Sequence, residues 1–430
     1  MIQEFTVKNY RSIKTKQTIS FLANKKMNNG REDYLCTQVN DNTKLLKFSV
    51  LYGYNAAGKS NILLAMDFLR DLILFGPDTK NEETGFVPFA LDNESINKSG
   101  EFSLIFFIEG IKYEYSVTLD KKRIHFESLD YTPLNRKAKL FSRTFDDEKK
   151  ISKIVIGAGC KLLSKDKLIL NGNTLENSTV LYSYQRSNIH SSVLDKVVSY
   201  FKNTLLPIIT PSSLLINWSM NKLVKDNTQK DFYVKLLGKA DFQISDLEIK
   251  EDKIEVTDEM LATLQEQGLP SSLIKSMEDK KTVETKELLF SHSTKNGTHK
   301  ISQEEESKGT QRYFSLGGVL KELINSSKVI AIDEIEASLH PDLVAFFLQM
   351  FLMNTQNSQL LVTTHNQFIM DQDYMRNDMI WFCEKDEEGA SNYYCAQDFK
   401  LHKNVILSNF YRAGKLGAVP ELGSPIIQEE

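Results

Sequence analysis

Residues 53–60 read Gly-Tyr-Asn-Ala-Ala-Gly-Lys-Ser, the pattern GxxxxGK[ST] placed between an apolar run and a helical one. In that pattern two glycines permit a tight loop, and backbone N–H groups at a helix N-terminus cradle phosphates. Lys59 reaches the β- and γ-phosphates and Ser60 supplies a ligand to Mg²⁺. The phosphate-binding set is therefore Gly53, Asn55, Ala56, Ala57, Gly58, Lys59, Ser60 and Asn61. A glycine turn that merely precedes a helix is the plainer alternative. Far downstream, KVIAIDEIEASLHP ends an apolar run in Asp333 and Glu334. A buried strand delivering two acids fits a metal carboxylate, Asp333, followed by Glu334 as the residue that polarises an attacking water. Without the upstream loop, the same pair would read as a strand end capped by two solvated acids.

These residues need elements to hold them. Ile2, Phe5 and Val7 suggest an opening strand, and LKFSVLY (46–52) reads as a strand buried on both faces. SNILLAMDFLRDLILF (60–75) carries apolar residues at helical spacing until Gly76-Pro77 stops it. FSLIFFIE, YEYSVTLD and RIHFESLDY, between 102 and 131, suggest an antiparallel meander. From 151 to 284 the pattern becomes mostly helical and is broken by Pro207, Pro211 and Pro270, too often for a long coiled coil. Strand signals return at KELLFSH and GTHKIS, then a helix at QRYFSLGGVLKELI and strands at KVIAID, QLLVTT and MIWFCEK. The expected organisation is an α/β nucleotide-binding head split in sequence. Its N-terminal part covers 1–150, a mostly helical insertion covers 151–284, and its C-terminal part covers 285–430.

Composition narrows the class. The chain has 430 residues with 53 basic against 57 acidic side chains, a formal charge of −4, so no bulk positive field argues for nucleic acid. Its 41% hydrophobic and 26% charged residues, with 20 Gly and 9 Pro, exclude collagen-like and mostly disordered chains. Length predicts two to three domains, or one large domain with an insertion. Cys36, Cys160, Cys383 and Cys395 are widely separated, which argues against a disulfide framework or zinc site and for small buried hydrophobes. MIQEFTVKNYRSIK lacks a signal-peptide core, and no apolar run approaches a membrane span. A soluble, cytoplasmic protein without a membrane partner is expected. Arg136–Lys153 holds seven basic against three acidic residues. It reads as a solvated hairpin face, or as a contact for DNA, RNA or an acidic partner.

Together these motifs resemble the ABC class of P-loop ATPases across both head segments, which implies an α/β ABC-type head with an antiparallel β lobe. Ser307, Gly309 and Gln311 in SKGTQ look like a shortened signature motif that reaches a nucleotide held by a second subunit. Ala337-Ser338-Leu339-His340-Pro341 looks like the D-loop, with Ser338 its polar residue. His365, after QLLVTT, looks like the switch histidine that senses the γ-phosphate. Plainer alternatives stand beside these: Ser307 as a helix N-cap and His365 as a polar strand end. FTVKNYRS resembles the opening of the chromosome-maintenance and break-repair branch, in which the positions of Asn9 and Arg11 lie near nucleotide. EESKGTQRYF, DEIEASLHP and YRAGKLGAVP bring the chain closer to the bacterial overcoming-lysogenization-defect-like ATPases found beside restriction, retron and abortive-infection loci.

The resemblance implies ATP and Mg²⁺ as cofactors, a homodimer or higher oligomer, and a separate effector such as a nuclease or toxin in anti-phage defence. The class usually places a Gln in a loop after the first helix, and no Gln occurs between Ser60 and Asp130. Pro88, Phe89, Asp92 and Asn93 occupy that region, and none is assigned its role. Two other classes compete. An intrinsic nuclease would use Asp371-Gln372-Asp373, but only 57 residues follow, against on the order of 100 for such a domain. A transporter ATPase subunit would carry a longer signature and the missing Gln.

Overall fold

Phe48–Tyr52 is buried at every position, as a strand covered on both faces must be. The computed structural model describes residues 1–25, 32–146, 148–240, 242–266, 271–280, 282–324, 326–399, 406–421 and 423–424. Among these residues that strand is the centre of a five-stranded sheet ordered Val329–Ile332, Gln359–Thr363, Phe48–Tyr52, Ile380–Lys385, Ser391–Cys395. The first four strands run parallel and the last is antiparallel. Register pairs Ile332 with Val362 and Val362 with Val50, so three strands release their chains side by side. The C-terminal edge of a parallel sheet is where α/β folds bind ligands. Helix Lys59–Leu74 leaves that edge and buries Ile62, Leu63, Met66, Leu69 and Ile73. It ends one residue before the Gly76-Pro77 break, at an exposed Phe75.

The expected meander is part of a larger antiparallel sheet. Its seven strands are ordered Ile151–Ile156, Ala138–Asp146, Ile124–Thr132, Ile111–Leu119, Gly100–Ile108, Ile2–Lys8, Gln17–Ser20. Buried and less buried residues alternate along Ile111–Leu119, the mark of a sheet with one face in the core. Residue 150 thus falls in a hairpin turn, since Asp146 pairs with Ile151.

The basic stretch 136–153 forms this same hairpin, and its most central cation serves the core. Arg143 is fully buried 3.9 Å from the equally buried Glu127, and it donates to the carbonyls of Leu175, Glu176 and Ser178. Glu127 in turn accepts the Tyr115 hydroxyl and the Val180 N–H, both at 2.9 Å. Removing one partner of a buried pair leaves the other charge uncompensated. Arg143→Ala is therefore expected to cost about 3–5 kcal/mol, measured as a lower denaturant midpoint at unchanged slope.

The chain divides into two compact units. One comprises Met1–Ser213, Glu322–Ala337 and Val344–Glu430; the other comprises Leu214–Lys321 and Ser338–Leu343. Within the segment expected to be helical, Ser164–Asn173, Val180–Gln185 and Ser192–Ser199 fall in the first unit. Helices Leu215–Lys225 and Lys230–Lys239 fall in the second, followed by a three-stranded sheet of Ile244–Glu255, Thr282–Thr294 and Gly297–Ser302. Tyr233 stacks on Phe314 at 4.7 Å and Phe290 meets Phe314 edge-on at 5.6 Å, which gives that unit its own aromatic core. Residue 284 lies inside the strand Thr282–Thr294. All four cysteines are buried, and none forms a disulfide among the described residues. No described helix is long and apolar enough to cross a membrane.

Candidate functional site

The loop after Tyr52 holds its shape through conformations that side chains resist. Gly58 has φ 113° and Ala56 φ 64°. A Cβ on Gly53 would sit 2.4 Å from the Cys383 carbonyl oxygen, and one on Gly58 would sit 2.0 Å from Ser391 Oγ. Close approach requires both glycines, and the left-handed turn requires Gly58 as well. Lys59, 7% exposed, folds back over the loop and donates to Gly53 O at 3.0 Å and Tyr54 O at 3.2 Å. Asn55 and Ala56 are exposed at the loop's tip. Ser60 occupies the first turn of the helix, and Asn61 donates through Nδ2 to Ser12 Oγ at 2.6 Å.

The neighbouring strand ends bring the other candidates to the same place. Lys59 Nζ lies 3.0 Å from His365 Nε2. Burial, then the Lys59 charge, lowers the His365 pKa, so at neutral pH the imidazole is neutral and can accept from the ammonium. Burial likewise lowers the Lys59 pKa. Asp333, at the end of Val329–Ile332, is 8% exposed and accepts the Thr363 hydroxyl at 2.5 Å. The same Thr363 oxygen accepts the Glu334 N–H at 2.8 Å. Glu334 itself is exposed, with φ 47°, a strained conformation of the kind that collects at functional sites. Glu336 accepts the His365 N–H at 2.6 Å, and its second carboxylate oxygen is buried without a hydrogen-bond partner. A buried ammonium, a buried carboxylate and an imidazole around a glycine-shaped loop suit a phosphate with a divalent cation.

Residues 48–371 match the family described as "AAA domain, putative AbiEii toxin, Type IV TA system". The chain belongs to this family. By that family it is an ATPase of the AAA-domain type. Among solved structures it is similar to the SMC head domain from Thermotoga maritima, at 11% identity over 92% of this chain and 98% of that one, TM-score 0.41. It is also similar to an SmcHead bound to the C-winged helix domain of ScpA, at 14% identity over 92% and 97%, TM-score 0.39. An Smc head with an extended coiled coil from Pyrococcus furiosus matches at 10% identity over 96% and 98%, TM-score 0.38. No curated protein matches the chain.

Other candidates of this ATPase are placed differently. In the second unit, Ser307 Oγ accepts the Thr310 N–H at 3.0 Å and so caps helix Lys308–Ile324. Gln311 donates to the carbonyls of Gln303 at 2.6 Å and Glu306 at 2.9 Å. A Cβ on Gly309 would sit 3.0 Å from the Ser338 carbonyl, and Ser338 has φ 63°. The residues expected to form the signature motif and the D-loop therefore lie together. Asn9 is buried and spent on the loop beside it: Nδ2 donates to Ser95 O and Lys98 O, both at 2.9 Å, and Oδ1 accepts the Phe89 N–H at 3.1 Å. Arg11 is exposed, and its N–H bonds Val87 O at 2.9 Å.

The region of the missing Gln is equally occupied. Phe89 is fully buried. Asp92 accepts from Ser95 Oγ at 2.6 Å and the Glu94 N–H at 3.1 Å, and these bonds with the nearby Lys14 hold its carboxyl down at about 2. Asn93 accepts, through its carbonyl, from Asn97. Asp371 caps the helix Leu407–Arg412 by accepting from the Ser408 N–H and hydroxyl. Among the described residues no three His, Cys, Asp or Glu side chains converge as a metal site.

Sequence reasoning missed Thr363, which aligns both acids, and Glu336, which anchors His365. It also missed Ser12, Ser391 and Tyr393 behind the loop. Thr363 and Glu336 stand within two residues of motif positions, and that adjacency was the available signal. Nothing local marks Ser391 or Tyr393.

Proposed function

We propose that this chain is an ATP-hydrolysing switch that works as a homodimer or higher oligomer and controls a separate effector, a nuclease or toxin, in bacterial anti-phage defence. The observation that carries the reading is the convergence of Lys59, His365 and the Asp333–Thr363 pair at three adjacent strand ends. Lys59 exchanges its loop carbonyls for the β- and γ-phosphate oxygens. The backbone of Gly53 and Asn55–Asn61 closes around the phosphates. Glu334 orients and deprotonates the attacking water, and neutral His365 contacts the γ-phosphate. Mg²⁺, when held by Ser60 and Asp333, would neutralise charge that develops on the phosphate oxygens. Asn9 acts through the loop it holds, and Arg11 stands exposed beside it.

Ser307, Gly309, Gln311 and Ser338 serve the partner's nucleotide, so that ATP bridges two subunits and hydrolysis removes the bridge. The segments 1–150 and 285–430 supply the nucleotide-binding residues, and the segment 151–284, whose ends fall in a hairpin and within a strand, offers the effector's docking surface. The family description, with its toxin and type IV TA system, supports a defence role.

The experiment incubates the purified chain with ATP and Mg²⁺ or Mn²⁺ alongside plasmid, single-stranded DNA and transfer RNA. Phosphate release without nucleic-acid cleavage is expected, because Asp371 is committed to Ser408. Cleavage that disappears in Asp371→Ala would put the intrinsic-nuclease reading first.

A further inference from the structure

A phosphate cradle turns backbone N–H groups inward, so its carbonyls turn outward and each buried one needs a donor. In this loop the donors can be traced. Lys59 serves Gly53 O and Tyr54 O. Ala57 O accepts the Ser391 hydroxyl at 2.5 Å, and Gly58 O accepts the Tyr393 hydroxyl at 2.7 Å beside the Asn61 backbone N–H at 2.9 Å. Ser391 and Tyr393 stand two residues apart on the antiparallel strand Ser391–Cys395, so both leave the same face. Ser391 is fully buried and Tyr393 is 8% exposed. Ser12 adds a second tie: its Oγ lies 2.7 Å from Ser391 Oγ, and its carbonyl accepts the Ser391 N–H at 2.7 Å. The Cys383 thiol also reaches Ala57 O, at 3.2 Å, but a thiol is a weak donor and cannot replace the hydroxyl.

We infer that Ser391 and Tyr393 are positioning residues that set the shape of the phosphate cradle through the Ala57 and Gly58 carbonyls, with Ser12 orienting Ser391. The inference rests on the nucleotide reading above. If the hydroxyls only satisfied buried carbonyls, their loss would lower stability and leave affinity alone. If they shape the cradle, their loss weakens ground state and transition state alike, which raises KM and spares kcat.

Tyr393→Phe keeps the ring and removes one hydroxyl; Ser391→Ala does the same at the second carbonyl. Titrating each full-length variant with a fluorescent ATP analogue and Mg²⁺ should show Kd raised about fivefold, the scale of one neutral hydrogen bond. KM for ATP should rise in parallel with kcat within about twofold, and Ser391→Thr should restore affinity. Unchanged Kd and KM with a lower melting temperature would overturn the inference, as would loss of cooperative melting in both variants. Lys59→Ala run alongside separates the two readings. If it binds normally, the nucleotide assignment fails; if only Tyr393→Phe and Ser391→Ala bind normally, the positioning role fails.

Discussion

Lys59→Ala is expected to abolish measurable binding of ATP while the protein remains folded. The ammonium is the buried cation at the loop, and charge-assisted bonds to phosphate are worth about 1.5–3 kcal/mol each. Losing two of them weakens binding by at least about 150-fold. Stability should move the other way or not at all. Burial already lowers the Lys59 pKa, so without nucleotide the residue bears a desolvation cost that alanine removes. Against this stand its bonds to the buried carbonyl of Gly53 and the part-buried carbonyl of Tyr54, whose loss offsets that gain. The measurement is thermal unfolding with and without Mg-ATP. Wild type should gain about 2.7 kcal/mol at a hundredfold excess over Kd, and the variant should gain nothing. A variant that keeps its ATP-induced shift would refute the phosphate cradle.

The parts of the site legible in the sequence are those whose chemistry is contiguous. Gly53–Ser60 carries its own loop and helix start, and VIAIDE carries its own strand, so the motif and its support lie within a few residues. Thr363, Ser391 and Tyr393 escaped because a hydroxyl gains a role only from what its strand faces, and strand order is a tertiary fact. Ile244–Glu255 escaped for a different reason. Past Leu247 nearly every residue is exposed, so no apolar alternation announces a strand that its pairing with Thr282–Thr294 creates. Arg143 sat in a run that looked like a solvated basic face. The pleat turns alternate residues inward, and its partner Glu127 lies on the neighbouring strand Ile124–Thr132. Asn9 is expected near nucleotide, and its buried amide closes the loop around Ser95, a use that depends on where Gly100–Ile108 pairs.

Glu334→Gln should bind ATP normally, slow its hydrolysis by about 10²–10⁴-fold and, with ATP and Mg²⁺, accumulate a dimer. The glutamine keeps shape and hydrogen bonding but cannot take the proton, and a positioned base contributes about that factor. Asp333 and Thr363 are untouched, so the Asp333 carboxylate stays aligned. Trapped ATP then persists as the bridge between two heads, and sedimentation velocity should show the dimer only when nucleotide is present. Ser307→Arg tests the other half of the bridge. Ser307 is exposed at the start of its helix and its hydroxyl caps Thr310, so the substitution costs a cap worth about 1 kcal/mol and blocks whatever approaches that helix end. It leaves the subunit's own cradle complete. ATP affinity of the monomer should survive, while hydrolysis and ATP-dependent association fail together. Mixing Ser307→Arg with Lys59→Ala should restore at most one working site per dimer, formed by the cradle of the first variant and the signature of the second. Normal hydrolysis by Ser307→Arg alone would mean that each chain completes its own site, and the dimeric switch would have to be abandoned.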